Sequence, residues 1–334
     1  MRYRVLGRTG MRVSELCLGT MTFGGSGAVW EAIGGLDEQA STVLVQRALD
    51  AGVNFFDTAD GYAAGDSERI LGRALGARRR EVVIATKAAF PMGPGPNQRG
   101  LSRSHLLQAA EDSLTRLGTD YIDLYQVHTP DRLTPLDETM RALDDLVRSG
   151  KVRHLGVSNH AAWQIMKANG LAALRAGARF ESAQMLYNVV QRDIEREVVP
   201  LVKDQAIGLL VWSPLASGAL TGKFDRDGTP PKDSRRSTFE IDSLDIARLN
   251  SCIDAARPIA TRLHVSIAQV MLSWLLAQEV VTSVIIGARR LNQLEDNLKA
   301  VDVVLSAPDR AALDAASALP GEYPGTYLAK FADI

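Results

Sequence analysis

Short apolar runs of strand length alternate with amphipathic stretches of helix length eight times along this chain. That rhythm limits the fold more than any other feature. The strand candidates are Leu16–Thr20, Val53–Asp57, Glu81–Lys87, Tyr121–His128, Val152–Ser158, Glu181–Tyr187, Ile207–Trp212 and Thr282–Gly287. The helix candidates are Asp37–Ala51, Ser67–Leu75, Arg103–Leu117, Leu136–Ser149, Ala161–Ala176, Arg192–Gln205, Ser266–Gln278 and Leu291–Lys299. Ser102 or Ser104 offers an N-cap to the third helix, and Gly150 is placed to end the fourth. Runs such as EVVIATK are apolar almost throughout, as in parallel strands buried on both faces. Eight such units close a (β/α)8 TIM barrel. An open doubly wound sheet competes, but no GxGxxG follows the first strand, and Gly24, Gly25 and Gly27 do not fit that spacing. Tyr3–Ser14 reads as an N-terminal β-hairpin that plugs the barrel's bottom.

A chain of 334 residues exceeds the soft prior of ~150 per domain, yet one barrel reaches this size, and no linker or internal repeat divides it. The expectation is a single domain over residues 1–334. Two inserts, Gly24–Leu36 and Ser217–Asp245, follow the first and seventh strands and therefore belong to the top face. The second has the length and position of a lid or binding loop. The tail, Pro320–Ile334, shows no periodicity. With 46% hydrophobic and 23% charged residues, bulk disorder is excluded. A net charge of −1 argues against a nucleic-acid or anionic-membrane partner. Cys17 and Cys252 make no disulfide framework and read as packing residues. There is no apolar run of transmembrane length and no apolar core near Met1, so a soluble cytoplasmic protein is the expectation.

A barrel places its chemistry at the C-terminal ends of its strands. Asp57 ends the second strand, Lys87 the third and His128 the fourth, with Tyr62 in the loop after Asp57. Singly, each has an ordinary structural explanation: a helix cap, a snorkelling cation, a packing aromatic. Together at one mouth they form a coherent acid–base set. Lys87 beside Tyr62 is expected to stabilise tyrosinate and lower the phenol's pKa. Asp57 would hold Lys87 charged, and a neutral His128 would donate to a carbonyl oxygen. No Ser-His-Asp elbow, HExxH motif or clustered metal ligands appear, so the set lacks a nucleophile that a cofactor hydride would supply. Lys87 as a Schiff-base amine of a lyase is a competing reading.

These residues resemble the aldo-keto reductase family over nearly the whole chain. Asp57-Thr58-Ala59-Asp60-Gly61-Tyr62, continuing to Gly65, Ser67 and Glu68, is similar to the family's signature, with Ala63 where Gly is usual. The resemblance implies Tyr62 as general acid, Lys87 and Asp57 as its tuners and His128 as the carbonyl-orienting group. It implies cofactor contacts from Gly19, Thr20, Met21 and Asp57, with Ser158, Asn159 and Gln184 on the carboxamide and Trp212 stacked on the nicotinamide. Ser213, Leu215, Ser217, Gly218 and Lys223 lie in a stretch that resembles the pyrophosphate-covering loop. Gly287, Ala288, Arg289, Gln293, Asp296 and Asn297 resemble the adenosine and 2′-phosphate site, although Gly287 and Ala288 stand where the family often has Lys-Ser. Packing, an exposed helix face and a solvated charge remain the alternatives for Trp212, for Gln293 and Asn297, and for Arg289. Met21, Trp30, Tyr62, Phe90 and His128 would line the substrate pocket. The implied cofactor is NADPH/NADP, with NADH possible, and the implied partner a small-molecule carbonyl or alcohol. A nucleotide-binding redox sensor or regulatory subunit, as the family's potassium-channel β-subunits are, is the alternative function.

Overall fold

A computed structural model of the chain describes residues 1–232, 234–237 and 243–331. β1 (Tyr3–Val5) and β2 (Arg12–Ser14) form the antiparallel hairpin. The barrel strands are β3 (Leu16–Gly19), β4 (Phe55–Asp57), β5 (Val83–Ala88), β6 (Ile122–Val127), β7 (Val152–Ser158), β8 (Phe180–Leu186), β9 (Gly208–Trp212) and β10 (Val281–Ile286). Each pairs in parallel with the next, and β10 returns to pair with β3. Closure removes both sheet edges and gives the expected (β/α)8 barrel. Every residue of β5, β6 and β10 is buried, which is why those runs carry no polar alternation.

The barrel floor is a small apolar cluster that includes Cys17, Phe55, Leu124 and Leu210, and the hairpin contributes Leu6 and Val13 to it. Gly7 allows that fit. It sits at φ +51°, and a Cβ there would lie 2.2 Å from the Glu181 carbonyl oxygen. The hairpin therefore seals the end opposite the strand C-termini.

Outside the strands, local chemistry sets the helix ends. Asp37 accepts from the Ala40 amide at 2.8 Å to start Glu38–Asp50. Ser102, rather than Ser104, caps Arg103–Leu117. Gly150, at φ +76°, follows Leu136–Arg148 as expected. The helix expected over Arg192–Gln205 is shorter, Val198–Asp204, behind a separate 3-10 turn at Asp193–Glu195. Pro200 sits in its first turn, where proline is tolerated.

The sequence pattern left four helices unread, one of them the short Gly325–Leu328 in the tail. Ile246–Leu263 contains Pro258, Ala307–Ala316 follows the last barrel unit, and Ala28–Ile33 lies inside the first insert. Cap signals mark two of them, at Asp245 and at the Ser306/Asp309 capping box. Positions 233 and 238–242 of the Ser217–Asp245 insert, and 332–334 of the tail, lie outside the described residues. Among those described, no single helix is long and apolar enough to cross a membrane.

Candidate active site

Parallel strands deliver three of the four expected groups to one rim. Asp57 is the last residue of β4, Lys87 the penultimate of β5, and His128 follows β6 directly. Tyr62 returns to them because the segment after β4 is clamped to the strand ends. The Ser67 hydroxyl meets Thr20 Oγ1 at 2.7 Å and Thr58 Oγ1 at 3.0 Å. Glu68 accepts from Thr86 Oγ1 at 2.5 Å and from Arg116 Nε at 2.6 Å. Just past Tyr62, Ala63 and Ala64 take the left-handed conformation at φ +50° and +52°. That geometry strains an L-residue and clusters at functional sites.

Lys87 is wholly buried yet fully partnered. Its Nζ donates to Asp57 Oδ1 at 2.5 Å, the Thr58 carbonyl at 2.9 Å and Tyr62 OH at 3.2 Å. An ammonium has three hydrogens, so none is left over. Burial opposes the Lys87 charge, but the Asp57 carboxylate and Tyr62 outweigh it and raise its pKa. The other lobe of the carboxylate, Asp57 Oδ2, accepts from Gln184 Nε2 at 2.7 Å and from Gln126 Nε2 at 3.2 Å.

Tyr62 departs from the sequence-based expectation. Burial drives its pKa up, Lys87 pulls it down, and the Asp57 charge pushes it up again; the net direction is upward. In this geometry Tyr62 is a protonated phenol held ready to donate. His128 shifts the opposite way: burial, then the nearby Lys87 charge, hold it well below the ordinary imidazole range, so the ring is neutral at pH 7. Phe90 and Tyr62 meet it edge-on, at 4.5 and 5.8 Å between centroids.

Asp57, Tyr62 and His128 line a cleft of about 1180 Å³, with Lys87 buried behind them. It exceeds the ~300–1,000 Å³ of a usual small-ligand pocket. Met21, Trp30 and Phe90 line it with Tyr62 and His128, and so do Arg289, Gln293 and Asn297. Its lining also includes Gly19, Ser158, Asn159, Gln184, Trp212, Ser213, Leu215, Ser217, Gly218 and Lys223. Asn159, at φ +57°, donates from Nδ2 to the His128 carbonyl and accepts from Trp212 Nε1, both at 3.0 Å. Ser213, Ala216, Ser217 and Gly218 all have positive φ, the kind of turn that gathers backbone N–H groups into anion-binding concavities.

Three expected contacts sit differently. Thr20 is buried behind the rim on Asp57 and Ser67 and does not line the cleft. Asp296 lines it, but its oxygens accept from Ser266 Oγ and Gln269 Nε2, each at 2.7 Å. Gln293 Oε1 is held by the Arg289 amide at 2.9 Å. Sequence reasoning missed two participants. Gln126 carried a signal, as the amide inside the apolar run YIDLYQVH. Arg235, 3.3 Å from Met21 Sδ on the cleft wall, read only as one charge in a mixed loop. A separate cavity of about 610 Å³, lined by Gln108, Asp145 and Lys151 among others, includes none of the four rim groups.

A phenol, an ammonium, a carboxylate and a neutral imidazole at the top of a closed parallel barrel, beside a large cleft, define a barrel oxidoreductase that acts on carbonyls. The chain belongs to the aldo/keto reductase family, whose sequence profile matches residues 15–318. It is 41% identical over 316 residues to the uncharacterized oxidoreductase YrpG of Bacillus subtilis, covering 91% of this chain and 92% of that one. It is 40% identical over 316 residues to a probable voltage-gated potassium channel subunit beta of Arabidopsis thaliana, with coverage of 91% and 92%. The versiconal hemiacetal acetate reductase of Aspergillus parasiticus is 34% identical over 327 residues, with coverage of 92% and 94%. The family uses nicotinamide cofactors, and the cleft's amides, left-handed turn and Arg289 fit one.

Proposed function

We propose that this protein reduces aldehydes and ketones to alcohols, reversibly, with NADPH preferred over NADH and Tyr62 as proton donor. The observation that carries this reading is the Tyr62 hydroxyl 3.2 Å from an ion-paired, wholly buried Lys87. A bound reduced nicotinamide supplies the hydride. The chain's own residues do the rest. Neutral His128 orients the carbonyl oxygen against the Tyr62 hydroxyl. Tyr62 donates its proton as the oxygen becomes an alkoxide. Lys87, pinned by Asp57, steadies the tyrosinate left behind and holds it as the base for the reverse reaction. Ser158, Asn159 and Gln184 offer both donors and acceptors to a carboxamide, and Trp212 offers a ring face. Arg289, with Arg290 beside it, presents a guanidinium of the type that clamps a 2′-phosphate. Met21, Trp30 and Phe90 favour an apolar carbonyl compound. Two buried free cysteines accord with a reducing cytoplasm, and the barrel over residues 1–334 with one domain.

The likeness to the Arabidopsis thaliana channel subunit favours a second reading, a nucleotide-binding regulatory protein with little turnover. Turnover separates the two. With purified protein, NADPH consumption over a panel of aldehydes, ketones and keto-sugars, and NADP⁺ reduction with alcohols, are expected. NADPH that binds but is not consumed with any of them would replace the reductase reading with the regulatory one.

A further inference from the structure

Gln126 belongs to β6, one residue short of its end, and its amide is wholly buried inside the barrel rather than on the cleft. Its Nε2 donates to Asp57 Oδ2, and its Oε1 accepts from Gln184 Nε2 at 3.3 Å. A carboxylate ion-paired to an ammonium only accepts, so both amides must turn their NH₂ groups toward Asp57. Gln184 then spends one hydrogen on Asp57 and the other on Gln126. What remains of its amide is Oε1, the acceptor, and Gln184 lines the cleft.

The neighbouring strand is shaped around this arrangement. Gly156 on β7 pairs with Gln126, and a Cβ there would lie 2.8 Å from Gln126 Cγ and 2.5 Å from Ser182 Oγ. A glycine inside a strand costs stability and marks a close approach. Here what it admits is the Gln126 side chain.

We propose that Gln126 is a positioning residue: Asp57 sets which way the Gln184 amide points, and Gln126 takes its second hydrogen and holds it still, so that the oxygen alone is left for the cleft. The site thereby recognises a ligand group that donates hydrogens, the carboxamide NH₂ of a nicotinamide. The same amide holds Asp57 in place behind Lys87, so cofactor recognition and the proton donor share one polar junction. The inference rests on the reductase reading above.

The test is a binding titration of NADP⁺ against its 3-acetylpyridine analogue, which keeps the carbonyl but carries a methyl in place of NH₂. Fluorescence quenching is the readout, so no turnover is needed. The wild type is expected to prefer the carboxamide by about tenfold, the worth of one good hydrogen bond. In Gln126→Leu and in the unbranched Gln126→Met that preference should fall to about twofold or less. Gly156→Ala, which keeps the amide but displaces it, should lose preference in the same direction. A packing role would weaken both ligands equally and leave the ratio intact. An unchanged ratio in Gln126→Met or Gln126→Leu, in protein that still binds NADP⁺, overturns the role of Gln126 alone. Failure of wild-type protein to bind NADP⁺ at all overturns the reductase reading with it.

Discussion

Asp60 sits two residues before Tyr62, buried, and neither carboxylate oxygen makes a hydrogen bond of normal geometry with a described group. Burial, reinforced by the Glu68 charge, pushes its pKa up to about 8; the Gly61 amide, Arg116 and Lys87 offset part of this. A carboxyl whose folded pKa lies above its unfolded value of ~3.9 favours folding only while protonated, so stability is lost as pH rises from about 4 to about 8. Asp60→Asn should therefore leave the melting temperature nearly unchanged at pH 4 and raise it progressively, with a limit of roughly 5 kcal/mol above pH 8. Thermal melts across that range check it, and a gain of equal size at every pH would contradict it. A second residue-scale expectation concerns the coenzyme. Arg289→Ala should raise the KM for NADPH about tenfold or more while leaving that for NADH unchanged, because only the former carries the 2′-phosphate. Steady-state kinetics with both coenzymes decide; equal effects on both would remove the phosphate from the assignment. Pattern alone located Asp57, Lys87 and His128, since each stands at a strand end, and Tyr62 in the loop that follows Asp57. It did not reveal Gln126 as a partner of that set, or Asp60 as a buried carboxyl beside it. Gln126 and Asp57 are 69 positions apart, and no local periodicity encodes their contact. Pattern also misjudged the Tyr62 shift, because burial is a property of the packed site rather than of the neighbouring Lys87.

Among the elements, the strands were the most legible. Six-residue runs such as β5 and β6 have one stable location in a closed barrel, buried on both faces. The helices were legible where an apolar stripe was strong. Ile246–Leu263 escaped notice because Pro258 reads as a breaker and the preceding loop is rich in charge. The hairpin has a function that can be isolated. Leu6, wholly buried in the floor cluster, supports the barrel at the end away from the cleft. Leu6→Ala should destabilise the fold by about 2–5 kcal/mol in urea titrations, as large-to-small core changes do. Its kcat under native conditions should stay near wild type. A kcat that falls in step with stability would show that the floor also shapes the rim.

At the scale of the whole molecule, eight repeated units and closure of the sheet explain why residues from three different strands meet at all. Closure supplies a rigid rim, and the loops above it supply the cleft. The repeat count was visible in the sequence; the depth of the cleft and the polar junction beneath it were not, because both arise from contacts across the barrel. The proposed chemistry turns on one group, the Tyr62 hydroxyl, which gives a proton to the carbonyl oxygen. Tyr62→Phe keeps the ring and its packing and removes only that hydroxyl. Measured with NADPH and an aldehyde that the wild type reduces, its kcat should fall by ~10²–10⁴-fold while the Kd for NADPH stays the same. A variant that retains more than half the wild-type kcat would contradict the account.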